Sequence, residues 1–358
     1  MRSVYESIIA FLKKYERPLA TFLFVTGFIG DLLTFGLLDL SAVTLLFAAY
    51  IAIVIVTTVA AHATYDRRDH AFVRFIGALA PLAAQFTFGS LLSGFLIFFT
   101  KSAVLTISWP FIIFLLILFF GNEVLRNYRH SLLFQVFLVY FSLYAFSLFA
   151  LPLYIGSLTS KTFLESTIAA LVVFTLYVGL LALFGWKRFK RSLGVIIGST
   201  VIITAIIIGS YTAGLLPPIP LTLKSGGVYH SITRQDGQYI LQGETRRAWW
   251  DPREAIVHHV SGTPLYAYSA ISAPSAFSAA VMHVWQEKQN GKWVTRSTVA
   301  FTLSGGRTEG YRGYSLVQNP EAGQWRVLVQ TLEGQTIGKF DFTIQNVATE
   351  SPLSTQSL

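Results

Sequence analysis

Three groups of residues in this chain have types and spacings that could do chemistry. The first lies near the C-terminus. His283 and Trp285 occupy alternate positions in Met282-His-Val-Trp285, so on a strand they share one face. Arg307 follows about one hairpin later, and Trp325 with Arg326 comes after that. Imidazole, indole and guanidinium on a shared face could hold a ligand with an apolar side and an acidic or hydroxylated edge. These five residues are the candidate ligand-binding set. The competing reading makes the tryptophans core and His283 a buried, hydrogen-bonded residue.

The second group is a single residue, Asp31, set deep in an apolar run. An ionisable side chain at that depth is costly, and it marks a functional site unless it only bonds a neighbouring helix. The third is His62, Asp66, Asp69 and His70, which are metal-compatible types. Arg67 and Arg68 interrupt them, so no metal is expected there. With no cysteine in the chain, disulfides, thiolate catalysis and thiolate metal sites are excluded. No serine stands at a nucleophile elbow, and no glycine-rich loop opens a helix after a strand. No catalytic residues and no cofactor are expected.

The elements that must position these residues fall into two regimes. From Pro18 to Leu216 the sequence holds seven apolar stretches, each about the length of a membrane span. They run from about Pro18, Ala42, Phe72, Val104, Leu132, Phe163 and Leu193. Threaded alternately from a cytoplasmic N-terminus, they put thirteen of the fifteen Lys and Arg residues before Pro217 at cytoplasmic ends, leaving only Lys101 and Lys161 outside. That is the positive-inside bias. Residues 1–17 read as a cytoplasmic amphipathic segment, too polar for a signal peptide, with the first span as an uncleaved anchor. Gly89 with Ser93, Ser90 with Gly94, and Gly194 with Gly198 have the spacing of close helix contacts. The net charge of +9 is mostly this topological charge, and nucleic-acid binding is not expected.

Past Pro217-Pro-Ile-Pro220 the pattern changes. Residues 217–226 read as a proline-rich linker, 227–347 as a β domain and 348–358 as a disordered tail. Nine short strands with period-two alternation and an Asn290-Gly291 hairpin turn suggest an all-β, immunoglobulin-like sandwich. The fold class is therefore an α-helical polytopic membrane domain of seven transmembrane helices followed by that sandwich.

Met282-His-Val-Trp285, Gly323-Gln-Trp-Arg-Val327, the Glu333-Gly334 turn and Phe340-Asp-Phe342, with Arg307 between them, resemble a bacterial family known as domain of unknown function 2914. The spans in front resemble the membrane domain that accompanies it, domain of unknown function 5924. The resemblance implies a Gram-negative inner membrane, with the sandwich in the periplasm. It implies no activity, but it picks out His283, Trp285, Arg307, Trp325 and Arg326. The expected function is a membrane-anchored periplasmic module for an envelope saccharide, lipid or partner protein. The competing expectation is a transporter or membrane-embedded enzyme centred among the spans.

Overall fold

The computed structural model describes residues 15–34, 40–64, 70–124, 132–235, 238–244, 255–274, 277–304, 310–349 and 352–357. The chain divides into two compact units. The first is helical. Its described helices are α1 (Glu16–Thr34), α2 (Leu40–Thr64), α3 (Ala71–Lys101), α4 (Leu105–Val124), α5 (Leu132–Ile155) and α6 (Ser160–Thr212). Each begins and ends within a few residues of an expected span, as expected of long apolar runs that would satisfy their backbone internally in a bilayer. Residues 1–14 and most of the loop between His62 and His70 lie outside the described residues.

α3 runs unbroken through Pro81 and is buried from Ala80 to Gly94 on most of its faces. Gly89, Ser90, Ser93 and Gly94 all lie in that buried stretch, and a methyl group on Gly27 of α1 would approach Ser90 Oγ to 3.0 Å. Small residues thus bring α1 and α3 together. Gly194 and Gly198 do not do the same, since each faces open space.

α6 is written as one helix of 53 residues, yet its ends meet. A straight α-helix would hold Ser160 and Tyr211 about 75 Å apart. Instead Ser160 Oγ and Tyr211 Oη are 3.2 Å apart, and the Phe163 and Tyr211 rings stack at 3.8 Å. Tyr140 of α5 touches both arms, with its ring against Phe174 and its hydroxyl on Thr204 Oγ1. α6 is therefore a helical hairpin whose arms, Ser160–Phe184 and Phe189–Thr212, are the two expected last spans. Among the described residues, five helical stretches are long and apolar enough to cross a membrane: these two, α2, α3 and α5. Val25–Thr34 and Leu105–Gly121 are apolar but shorter.

The second unit is β-rich. Its strands are β1 (Thr222–Tyr229), β2 (Ser231–Gln235), β3 (Gln238–Gly243), β4 (Ala255–Val260), β5 (Pro264–Ser272), β6 (Ser278–Gln289), β7 (Lys292–Ser304), β8 (Tyr311–Gln318), β9 (Gly323–Thr331), β10 (Thr336–Val347) and β11 (Ser354–Ser357). They form three sheets, ordered β1-β5-β8, β4-β10-β9-β6-β7 and β11-β3-β2. The first two face each other. Leu265, Ala267 and Ile271 of β5 meet Trp285 and Val281 of β6, Val327 and Val329 of β9, and Phe342 of β10, all buried. The third sheet covers the back of the first, where Leu241 packs with Tyr229, Tyr268 and Ala270.

Three boundaries differ from the sequence expectation. β1 starts at Thr222, so the second half of the expected linker is strand, and Leu221 is fully buried. Its Lys224-Ser-Gly-Gly227 stretch has no apolar alternation to read. Gly226 is required there, because any side chain would run into the Phe340 ring and the Tyr268 carbonyl. The expected disordered tail supplies β11, an edge strand on β3. A third layer joins the two-sheet sandwich. The hairpin turn is as expected, with Asn290 and Gly291 both at positive φ.

Two inter-helix segments, Ser102–Ser108 and Ile155–Thr159, belong to this second unit. Ser278 N–H donates to Gly156 O at 2.8 Å, and Leu158 packs on the cluster around Leu221 and Phe277.

The hairpin in α6 has a direct check in a chain without cysteine. Phe163→Cys with Tyr211→Cys should be joined by a short bismaleimide. After proteolysis between the arms, at Lys187 or Arg188, the two arms should stay together on a denaturing gel. A straight helix would give separated fragments.

Candidate functional site

β6 decides which chemistry faces in and which faces out. It lies between β9 and β7 in the five-stranded sheet, so alternate side chains must choose between the sandwich interior and the sheet's outer face. The inward set is Val281, His283 and Trp285, all with zero exposure. There the facing sheet offers two serines. Ser315 Oγ of β8 lies 2.9 Å from Trp285 Nε1 and 2.9 Å from His283 Nδ1. Ser269 Oγ of β5 lies 2.8 Å from His283 Nε2.

The donor count orders these bonds. An indole nitrogen can only donate, so Ser315 Oγ accepts from Trp285, while the neutral His283 ring meets Ser315 and Ser269 with one N–H donor and one acceptor nitrogen. The imidazole is neutral in this arrangement, and burial pushes its pKa down from 6.5 to about 4. Phe301 closes one side with its ring at 4.9 Å, and Phe342 meets the indole edge-on at 6.3 Å. Ser269 and His283 stand at the distance of a nucleophile and its base, but both are sealed in the core. A nucleophile must meet a substrate, so this pair joins sheets.

The outward set is different. Between Trp285 and Gln286 the β6–β7 register slips by one residue, leaving Arg296 as the extra residue of a bulge. Arg296 turns to Glu287, with Nη2 at 2.6 Å and Nε at 2.7 Å from Oε2. Beyond the bulge, Gln286 pairs with Arg326 of β9 on one side and Thr295 of β7 on the other. Arg326 Nε–H donates to Gln286 Oε1 at 2.7 Å, and Gln286 Nε2–H donates to Thr295 Oγ1 at 3.0 Å. The Arg326 guanidinium lies over the Trp293 ring at 4.3 Å, and Lys288 Nζ is 5.8 Å from the same ring. Asp341 of β10 is the cross-strand partner of Arg326, but its carboxylate holds Lys339 Nζ at 2.7 Å. Partial burial draws the Arg326 pKa down, and Asp341 pushes it back up. A guanidinium stacked on one ring and tethered at Nε is held in orientation.

The five sequence candidates therefore do not form one surface. His283, Trp285 and Trp325 face the interior, where the Trp325 indole donates to Glu321 O at 2.9 Å. Arg326 is next to Trp325 and so faces the opposite way. Arg307 lies outside the described residues. The outer face adds Gln286 and Lys288, which the sequence reading did not single out, and Trp293, one of five tryptophans after Pro217 that could stack on a ligand if exposed. A signal for them was present: alternation puts Gln286 and Lys288 opposite to His283 and Trp285, and the two-residue Asn290-Gly291 turn pairs Lys288 with Trp293.

In the helical unit, Asp31 is buried against α3. Ser93 Oγ bonds Asp31 Oδ2 and also lies 2.9 Å from Ser90 O. Asp31 thus meets a partner helix rather than lipid. No group of three or more His, Asp or Glu side chains able to hold a metal occurs among the described residues.

The interior cluster predicts a pH dependence. The folded pKa of His283 is depressed below its unfolded value of 6.5, so the unfolded chain binds the extra proton first. Stability should be full above pH 6.5 and fall as pH drops toward 4, losing about 3 kcal/mol. His283→Gln should flatten that limb in melts of the full chain. A wild-type limb as flat as the variant's would contradict the buried neutral imidazole. Trp285→Ala should cost about 3–5 kcal/mol, as a truncated core side chain does.

No curated protein matches this chain. Among solved structures, Pseudomonas fluorescens alkylpurine DNA glycosylase AlkC, bound to DNA containing an abasic site analog, shows 13% identity over 84% of this chain and 99% of its own, with a TM-score of 0.23. A likeness that weak carries no argument about fold or activity. Residues 278–344, from β6 into β10, match the model of the Protein of unknown function (DUF2914) family, the one the His-x-Trp and Trp-Arg-Val motifs resemble.

Proposed function

We infer that this is a multi-pass protein of a Gram-negative inner membrane, with its N-terminus in the cytoplasm and its β domain in the periplasm. In this reading it is a non-enzymatic, membrane-anchored module that binds an envelope saccharide, lipid or partner protein. One observation carries the topology. Ser102–Ser108 and Ile155–Thr159 fold into the same compact unit as Gly214–Leu358. Alternate threading puts these same segments on the side poor in Lys and Arg. The two shorter apolar stretches, Val25–Thr34 and Leu105–Gly121, complete seven crossings when added to the five long ones. The two facing sheets are read as an immunoglobulin-like sandwich with a third sheet on its back. The binding part of the reading is supported by the outer face of the five-stranded sheet, where Arg326 is held ready by Trp293 and Gln286.

The Asp31–Ser93 pair favours a second reading, a transporter or membrane-embedded enzyme centred on α1 and α3. Burying a carboxyl between helices is costly and is repaid when it handles an ion or proton.

Two experiments test these readings. A reporter active only in the periplasm should work when fused after Leu221 and fail after Arg68 or Arg191; the opposite pattern would reverse the compartment assignment. Asp31→Asn, which keeps the shape and a hydrogen-bonding group, should restore a deletion strain fully. If the variant accumulates normally but does not restore it, the second reading replaces the first.

A further inference from the structure

We propose that the outer face of the β4-β10-β9-β6-β7 sheet is a phosphate site centred on Arg326, and that its ligand is the phosphate monoester of a hydroxylated molecule. The inference rests on reading the β domain as a binding module, and it names the chemistry bound.

The guanidinium is fixed twice before any ligand arrives. Trp293 holds its plane at 4.3 Å, and Gln286 Oε1 takes its Nε–H at 2.7 Å. Gln286 is itself held by Thr295, so the tether has little freedom. The bond at Nε closes the side of the fork that uses Nε and one Nη. The end formed by the two Nη groups is the side left for an oxyanion, which takes two parallel hydrogen bonds there.

Charge selects among oxyanions. Arg326, Lys288 and Lys339 are positive on this face, and Asp341, which pairs with Lys339 at 2.7 Å and also acts on Arg326, offsets one of the three charges. Arg326 and Lys288 remain, a charge of two across diagonal neighbours on β9 and β6. A phosphate monoester carries close to two negative charges near neutral pH, whereas a carboxylate carries one. Trp293 gives the organic part of the ligand an aromatic edge to rest on.

The test uses the full chain in phosphatidylcholine nanodiscs, with glucose 6-phosphate, inorganic phosphate and glucose titrated by calorimetry. Glucose 6-phosphate should bind, inorganic phosphate more weakly, and glucose not at all. Arg326→Gln should weaken glucose 6-phosphate at least tenfold and Lys288→Gln about threefold. Arg234→Gln, on the far sheet, should change nothing. Lys288 is exposed, so its variant reads the site without threatening the fold. Nanodiscs containing phosphatidic acid separate the two sources of a phosphate monoester. Competition with glucose 6-phosphate identifies a lipid headgroup, and its absence a soluble or polymeric sugar. The proposal is overturned if the wild type binds neither phosphate probe, or if Arg326→Gln and Lys288→Gln both bind as the wild type does. Neither result depends on compartment, so the reporter fusions fail or succeed separately.

Discussion

A hydrogen bond across the sandwich, from the Trp285 indole to Ser315 Oγ, sets the geometry that the rest of the β domain follows. It joins the five-stranded sheet to the three-stranded one. With His283 it fills the interior with polar groups that have no water to turn to, so their partners must be in place. Ser269 and Ser315 supply them from two strands of the opposing sheet. A one-residue slip of β6 would bring Gln286 inward and leave the two serines unsatisfied. Register is therefore pinned from within. Since a strand has two faces, pinning the inward face also pins Gln286 outward, and Gln286 aims Arg326. The bulge at Arg296 lets β7 bring Thr295 and Trp293 to that face while Arg296 neutralises the nearly buried Glu287.

The helical unit follows a related rule in a different solvent. Several of its buried polar groups meet across helices: Asp31 with Ser93, Tyr144 with Thr167, Tyr140 with Thr204, Tyr177 with Thr58. Large apolar side chains such as Leu45, Val56, Leu176 and Leu183 stay exposed. In water that pattern would be a liability, but against hydrocarbon it is the expected outer surface.

Much of this was legible in the sequence because it depends on local pattern. The limits of β4 are as read from Ala255 to Val260, and α5 covers the expected Leu132–Ile155. What alternation cannot give is which face is inside. His283 and Trp285 had to share a face, yet the core could have taken either side of β6 until Ser269 and Ser315 were seen opposite them. The same period shows that Trp325 and Arg326 cannot serve one surface. β1 and β11 were missed because Lys224-Ser-Gly-Gly227 and Ser354-Thr-Gln-Ser357 have no apolar alternation, and their pairing is decided by β5 and β3. Asp31 announced its cost from its position alone, whereas its partner Ser93 lies sixty-two residues away and needed the fold.

In the proposed reading the helical unit anchors the chain and the β unit turns one prepared face outward. Charge at the helix ends, the loops that join the β unit and the tethered Arg326 all bear on one claim: the Arg326 face is open to the extracytoplasmic solvent. The absence of native cysteine makes that claim measurable. Lys288→Cys and Thr295→Cys on the outer face, and Ser269→Cys in the core, are exposed in spheroplasts to a membrane-impermeant maleimide. The account predicts rapid labelling of the first two without permeabilisation, and none of the third until the protein is denatured. Labelling of the outer-face cysteines only after lysis, or of Ser269→Cys as fast as the others, would contradict it.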